Sequence, residues 1–220
     1  MPPVTDVGGV RVGIVGGTGP QGRGLARRWA EAGVPVVIGS RDPNRADEMA
    51  AQIGAGVAGA ANESATEGSD VVVITVPWQA HATTVRQLEP YTRDKVVIDC
   101  VNPLGFDERG PHPLAVAEGS AAQQAQALLP QAHVVAAFHH VSAVLLADVR
   151  LDTVDSDVLV LGDDRAATDL VIGLVDVIPG LRGIYAGRLR NATQVEALAA
   201  NLIAINRRYK SHAGIRITDV

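Results

Sequence analysis

Gly17-Thr18-Gly19-Pro20-Gln21-Gly22 follows the pattern G-x-G-x-x-G. Such a pattern is common by itself; here its surroundings give it weight. Val10 to Gly16 is a short, β-branched run that reads as a buried strand. Leu25 to Ala32 reads as a helix, with Gly33 as its stop. The expected chemistry is phosphate binding. The first glycine lets the chain turn, the second leaves room for a pyrophosphate, and the third lets the helix lie close on the strand. Free N–H groups at the helix start, with the positive end of its dipole, then face the phosphates. A tight turn with no ligand is the competing reading, and the strand and helix on either side argue against it.

The second strand, Val34 to Gly39, ends on Ser40-Arg41, with Arg45 one turn later. A site for NAD usually carries a carboxylate there, to bind the ribose 2′-hydroxyl. A hydroxyl and two guanidiniums suit a 2′-phosphate instead, because arginine forms charge-assisted, often bidentate bonds to phosphate. The expected nucleotide is therefore NADP(H). The alternative is a solvated basic patch at a helix start, where basic residues sit unfavourably against the dipole.

Further residues gather where later strands end. Thr75-Val76-Pro77-Trp78 ends the clearest strand, Val71 to Val76. Trp78 reads either as a wall for a planar ring or as a lid over the sheet edge. His81 is expected on a helix surface. Asp99-Cys100-Val101-Asn102-Pro103 closes the next strand, with Asn102 expected near a nicotinamide carboxamide. Cys100 is expected to be a packing residue. Phe138-His139-His140 ends a strand that begins at His133. A histidine at that rim reads as a ligand for a carbonyl or an anionic ring, or as a core histidine bonded to backbone. Adjacent histidines on a strand face opposite ways, so they do not make a metal site. No paired-carboxylate, zinc-spacing or nucleophile-elbow pattern appears.

Strands alternating with helices position these residues and indicate a parallel sheet covered on both faces. Asp42-Pro43 opens a helix to about Ile53, and Asn62 is expected to cap a short helix ending near Gly68. After Phe138 the rhythm changes: one strand at Val158 to Leu161, a helix from Arg165, an extended stretch from Gly183 to Ala186, and a long helix from about Leu189 to Tyr209. The expected fold is α/β: a Rossmann-type, mostly parallel sheet with a smaller, partly helical C-terminal domain. The boundary is drawn at 1–138 and 139–220.

Composition narrows the class. The net charge of −5 argues against nucleic acid. Aromatics are only 3%, so Val, Ile, Leu and Ala must build the core. A single cysteine suits a reducing compartment. Met1 to Gly9 shows no signal-peptide pattern, and no apolar run reaches membrane-spanning length. The expectation is a cytoplasmic protein with no membrane or nucleic-acid partner.

Taken in order, GGTGPQGRGLARRWAEAG, VVIGSRDPNRA, VVVITVPWQAH, HVVAAFHH, GDDRAA and GLRGIYAGRLRNATQVEAL resemble the 8-hydroxy-5-deazaflavin (coenzyme F420):NADP oxidoreductases. The resemblance runs over essentially the whole chain. Proline-tryptophan after the fourth strand and AGRL-x-N before the last helix are its more specific parts. It implies hydride exchange between reduced coenzyme F420 and NADP, in a two-domain homodimer. It implies that Thr18, Gly19, Pro20, Gln21, Ser40, Arg41 and Arg45 hold NADP. It also implies that Val76, Ala137 and His139 line the nicotinamide and deazaflavin pocket; His139 is then expected to bond the pyrimidine edge of the deazaflavin and stabilise its developing charge. Two other readings stand beside it. One is an NADP-dependent reductase of a small imine or carbonyl compound, which needs a lysine or tyrosine near the nicotinamide. The other is a non-enzymatic NADP-sensing module.

Overall fold

A computed structural model describes residues 7–220. Residues 1–6, part of the segment read as lacking a signal peptide, lie outside the described residues.

The chain opens with β1 (Val12–Val15), four fully buried residues, followed by α1 (Pro20–Glu31), with Pro20 in its first turn. Next come β2 (Val36–Ser40) and α2 (Pro43–Ile53). Asp42 caps α2 as expected, its carboxylate accepting from the Asn44 N–H at 3.1 Å. There follow β3 (Ala58–Ala61), α3 (Asn62–Glu67), β4 (Val71–Ile74), α4 (Trp78–Leu88) and β5 (Val96–Asp99). A hairpin of β6 (Leu104–Asp107) and β7 (Gly110–Pro113) leads to α5 (Ala121–Leu128) and β8 (His133–Ala136). The chain ends with α6 (Ala143–Ala147), β9 (Ser156–Gly162), α7 (Arg165–Asp176), β10 (Leu181–Gly187) and α8 (Ala192–Tyr209).

Eight strands form one sheet in the order β10-β9-β8-β5-β4-β1-β2-β3. Neighbours run parallel except β8 and β9, which meet antiparallel at Val135–Gly162 and Ala136–Leu161. The segment after residue 138 thus adds two strands to the same sheet instead of building another. β1 lies between β2 and β4, so the winding reverses there, and a crevice opens beyond the carboxyl ends of those strands. β4 shows why its run is continuously apolar. Val71 and Val73 pack into one layer with Leu25, Trp29 and Ile38, while Val72 and Ile74 pack into the other with Val85, Leu88 and Leu129.

The rim beyond β8 is fastened to α1. Trp29 donates to the Leu174 carbonyl at 2.7 Å and meets the edge of Phe138, with ring centroids 5.6 Å apart. Arg28 is 4% exposed and donates to the carbonyls of Leu145, Leu146, Asp148 and Leu151, closing the end of α6. At the far edge, buried Asp157 accepts from Arg182, Arg216 and the Ile217 N–H, which straps the C-terminal tail onto β9.

One local reading is corrected, and several elements had no signal in the sequence. Asn62 does not cap α3: it is the helix's first residue, and its amide oxygen accepts from the Gly16 N–H at 3.4 Å. Trp78 is the first residue of α4, directly after Pro77. The β6–β7 hairpin, α5 and α6 carried no visible signal. The hairpin strands are LGFD and GPHP, and α5 buries only the small Ala121, Ala122 and Ala125.

Candidate active site

A cavity of about 840 Å³ lies beyond the carboxyl ends of β1, β2, β4, β5 and β8. That volume is in the range of ligand and cofactor sites. Gly16, Thr18, Gly19, Pro20 and Gln21 form its floor. The glycines divide the work differently from the expectation. Gly16, just before the motif, makes the turn at φ +75°. Gly17 is excluded from having a side chain by strand β2, because a Cβ would come within 2.7 Å of Ile38. A Cβ on Gly19 would meet nothing closer than the Gly16 carbonyl at 3.4 Å, so this residue faces the open cavity. Gly22 packs helix on strand as expected: a Cβ there would fall 2.6 Å from the Gly17 Cα. Gly17 and Gly22 therefore shape the loop without lining the cavity.

At one end Ser40, Arg41 and Arg45 line the cavity together. Ser40 Oγ accepts from the Asp42 N–H at 3.1 Å, which leaves its hydroxyl hydrogen free to donate. Both arginines are exposed, and neither forms an ion pair among the described residues. Two unneutralised guanidiniums at a helix start suit an anion.

At the other end lie Val76, Trp78, Cys100, Val101, Asn102, Phe138 and His139. His139 is 5% exposed, and neither ring nitrogen has a hydrogen-bond partner. Burial pushes its pKa down to about 4, against the pull of the Asp99 charge and of the Cys100 and Val101 backbone. The ring is neutral at physiological pH, with one donor and one acceptor to offer. Asn102 donates from Nδ2 to the His139 carbonyl at 2.8 Å, while its Oδ1 is buried without a partner. Buried polar atoms are nearly always paired, so these orphans mark a place for a polar ligand. The fit extends to both halves of a dinucleotide-plus-ring site: a glycine cradle, cations at one end, unpartnered polar groups at the other.

Phe138 explains how His139 reaches the cavity. Its φ is +63°, a left-handed conformation that is costly for a bulky residue. The Gln21 amide donates to the Phe138 carbonyl at 3.3 Å and helps hold it there. Gln21 thus touches both the phosphate loop and the ring end. Ala137 does not line the cavity: it is fully buried, its N–H donating to the Asp99 carbonyl at 3.2 Å. The left-handed turn at Phe138 breaks strand alternation and gives the cavity His139 instead. His140 is structural, its Nε2 accepting from the Leu159 N–H at 3.2 Å. Cys100 lines the cavity, but burial, and then the Asp99 charge, raise its pKa well above the ordinary value, so it stays a thiol.

His81 is not the surface residue expected. It is fully buried beneath Trp78, its Nε2 2.7 Å from Asp99 Oδ2 and its Nδ1 2.9 Å from Gln124 Oε1. Sequence reading also missed Asn62 and Thr75. Both line the cavity, and Thr75 Oγ1 donates to the Val15 carbonyl at 2.9 Å. Local pattern gave Asn62 to a helix cap, and only the fold brings it to Gly16.

Residues 11–103 match the family model for F420-dependent NADP oxidoreductases. The chain is 39% identical to an F420-dependent NADP reductase of Methanothermobacter thermautotrophicus, over 96% of both chains. It is 35% identical to that of Methanocaldococcus jannaschii, over 96% of this chain and 99% of the relative. A crystal structure from Arthrobacter sp. FB24, assigned provisionally to the same activity, superposes with a TM-score of 0.81 at 25% identity, covering 96% of this chain and all of that one. The sequence motifs, the winding of the sheet and these full-length likenesses agree: the chain belongs to the F420-dependent NADP reductase family.

Proposed function

We propose that this chain transfers a hydride between reduced coenzyme F420 and NADP. When bound, the deazaflavin and the nicotinamide supply the redox chemistry: one hydride passes from ring carbon to ring carbon, and one proton is released to solvent. No protein nucleophile is needed, and the residues here contribute proximity and electrostatics. The observation that carries the reading is the shared cavity, with its glycine floor, Arg41 and Arg45 at one end and the unpartnered His139 and Asn102 at the other. Thr18, Gly19, Pro20 and Gln21 hold the pyrophosphate, and Ser40, Arg41 and Arg45 hold the 2′-phosphate. Asn102 Oδ1 accepts from the nicotinamide carboxamide. His139 donates to the pyrimidine edge of the deazaflavin and stabilises the charge that develops there. Residues 139–220 act as the unit that closes the deazaflavin side. The reading as an imine or carbonyl reductase lacks its proton donor. No lysine or tyrosine lines the cavity, and Lys95 donates to the carbonyls of Thr66 and Glu67.

The direct test is to mix the protein with NADPH and oxidised coenzyme F420. Enzyme-dependent bleaching of the deazaflavin's visible band is expected. NADPH binding with no bleaching would mean a sensing module. Within this reading, His139→Ala weakens deazaflavin binding about tenfold, the worth of a buried hydrogen bond of ~1.4 kcal/mol. NADPH affinity stays within about twofold. An unchanged Michaelis constant for the deazaflavin removes the role.

The same proposal takes the enzyme to be a cytoplasmic homodimer. Phe106, Ile205 and Tyr209 expose apolar surface on the hairpin and on α8, which supports an interface between copies. The chain's single cysteine is buried and free, which suits a reducing compartment.

A further inference from the structure

We propose that His81 is held as an imidazolium and is the positioning residue for the planar-ring end of the cavity. The inference rests on the proposed function only for which ligand feels the loss. The charge follows from hydrogen-bond geometry. His81 Nδ1 faces Gln124 Oε1, an amide orientation supported by its Nε2, which donates to Glu118 Oε2 at 3.1 Å. Turning the amide over would set its oxygen against the carboxylate of solvent-exposed Glu118. His81 Nε2 faces Asp99 Oδ2, and the other oxygen of Asp99 accepts from the Val101 N–H at 2.9 Å. Both ring nitrogens therefore face acceptors. Against an ionised Asp99, a neutral imidazole with its one N–H leaves one of these acceptors unmet, and only the imidazolium serves both.

Every charged neighbour bears on this state. Asp99 faces the ring from β5 and Glu118 acts through Gln124. Glu196 approaches from α8, its two oxygens accepting from the Ala121 and Ala122 N–H groups at 3.0 and 3.1 Å. Burial penalises the His81 cation most, yet Asp99, Gln124 and Glu196 together raise its pKa above the ordinary value. Glu196 itself is pushed up to about 7 by burial, against the two backbone N–H groups.

The imidazolium braces two walls. Its ring stacks under Trp78, with centroids 5.5 Å apart and planes at 29°, an arrangement for a cation–π contact. Through Asp99 it also holds the Val101 N–H, at the start of the Val101–Asn102 wall. His81 touches no ligand, because Ala80 and Thr84 line the cavity on its helix and His81 does not. Its effect passes through Trp78, whose indole lines the cavity and on the proposed function forms the surface for the deazaflavin ring.

Nitrogen-15 NMR of the ligand-free protein tests the charge. Both His81 ring nitrogens are expected to carry protons at pH 7.5. A single protonated nitrogen would overturn the proposal. Indole emission gives a second reading, since a stacked imidazolium quenches it. His81→Gln is expected to brighten Trp78, and a Trp78→Phe background identifies the emitting ring. Asp99→Asn guards against a folding failure: it keeps the volume and an acceptor for Val101 but removes the charge partner. Both variants leave an acceptor for the Val101 N–H, so the Asn102 side keeps its support, and they are expected to raise the Michaelis constant for the deazaflavin about tenfold, with NADPH affinity changed less than about twofold. Equal losses for both ligands, or unchanged emission, would reduce His81 to a packing residue. Absence of turnover in the unaltered protein would defeat the proposed function alone, since the NMR and emission readings need neither substrate.

Discussion

Arg41→Ala with Arg45→Ala lowers kcat/KM for NADP by roughly 30- to 150-fold and leaves the value for NAD almost unchanged. Both side chains are exposed, so the lower end of charge-assisted bonding applies: about 2–3 kcal/mol for the two together. Selectivity is the sharp part of the prediction. The two nucleotides differ only at the ribose 2′ position, so a loss confined to NADP assigns the arginines to the phosphate. Equal losses would mean that they hold the loop or α2 in place. Ser40→Ala should cost less, because its oxygen already serves the Asp42 N–H and only its hydrogen is left for the ligand.

The largest effect on stability is expected at Asp157, which has no contact with the cavity. Its carboxylate is fully buried and accepts from Arg182 Nε and Nη2, Arg216 Nη1 and the Ile217 N–H, at 2.6–2.9 Å. Arg216 also pairs with Asp155. The two arginines are partly exposed, which moderates the cost of losing their partner. Asp157→Ala should destabilise the fold by about 2–4 kcal/mol in urea unfolding. It should also speed amide exchange at Ile215 and Ile217. A change below about 0.5 kcal/mol would show that the tail contributes little. The pH dependence has a fixed sign. The Arg182 hydrogen bond holds the Asp157 pKa below its ordinary value, against burial. Its contribution is therefore present above the unfolded carboxylate pKa of about 3.9 and is lost as pH falls through the lower, folded value.

What was legible in the chain was local. The phosphate loop, the Ser40-Arg41 strand end and the Asp42 cap all follow from residues within a few positions of one another. The Val71–Ile74 strand needed only its composition. What stayed hidden depends on non-local packing. His81 looks like a surface histidine until α5 brings Gln124 against it and β5 brings Asp99 beneath it. Asn62 becomes a support for Gly16 only when β3 pairs with β2. Ala137 lacks its expected access while His139 keeps it, because of one backbone angle at Phe138, and no composition rule foretells a left-handed phenylalanine. The turn glycine was misassigned by one residue, since Gly16 and Gly17 are adjacent and either can turn a chain.

The antiparallel meeting of β8 and β9 decides what kind of edge the sheet has. With β9 in place, the margins are β3 and β10. β3 is a four-residue run of alanine and glycine, too short and featureless to recruit another strand readily. If the chain stopped near residue 138, the margin would be β8 itself, HVVA, with Val135 and Ala136 left without their pairing partners on β9. During synthesis the ribosome must add more than a dozen residues beyond α6 before that margin is sealed. Until then the nascent nucleotide half offers a sticky, unpaired strand to its surroundings, and β9 acts as its built-in gatekeeper against self-association.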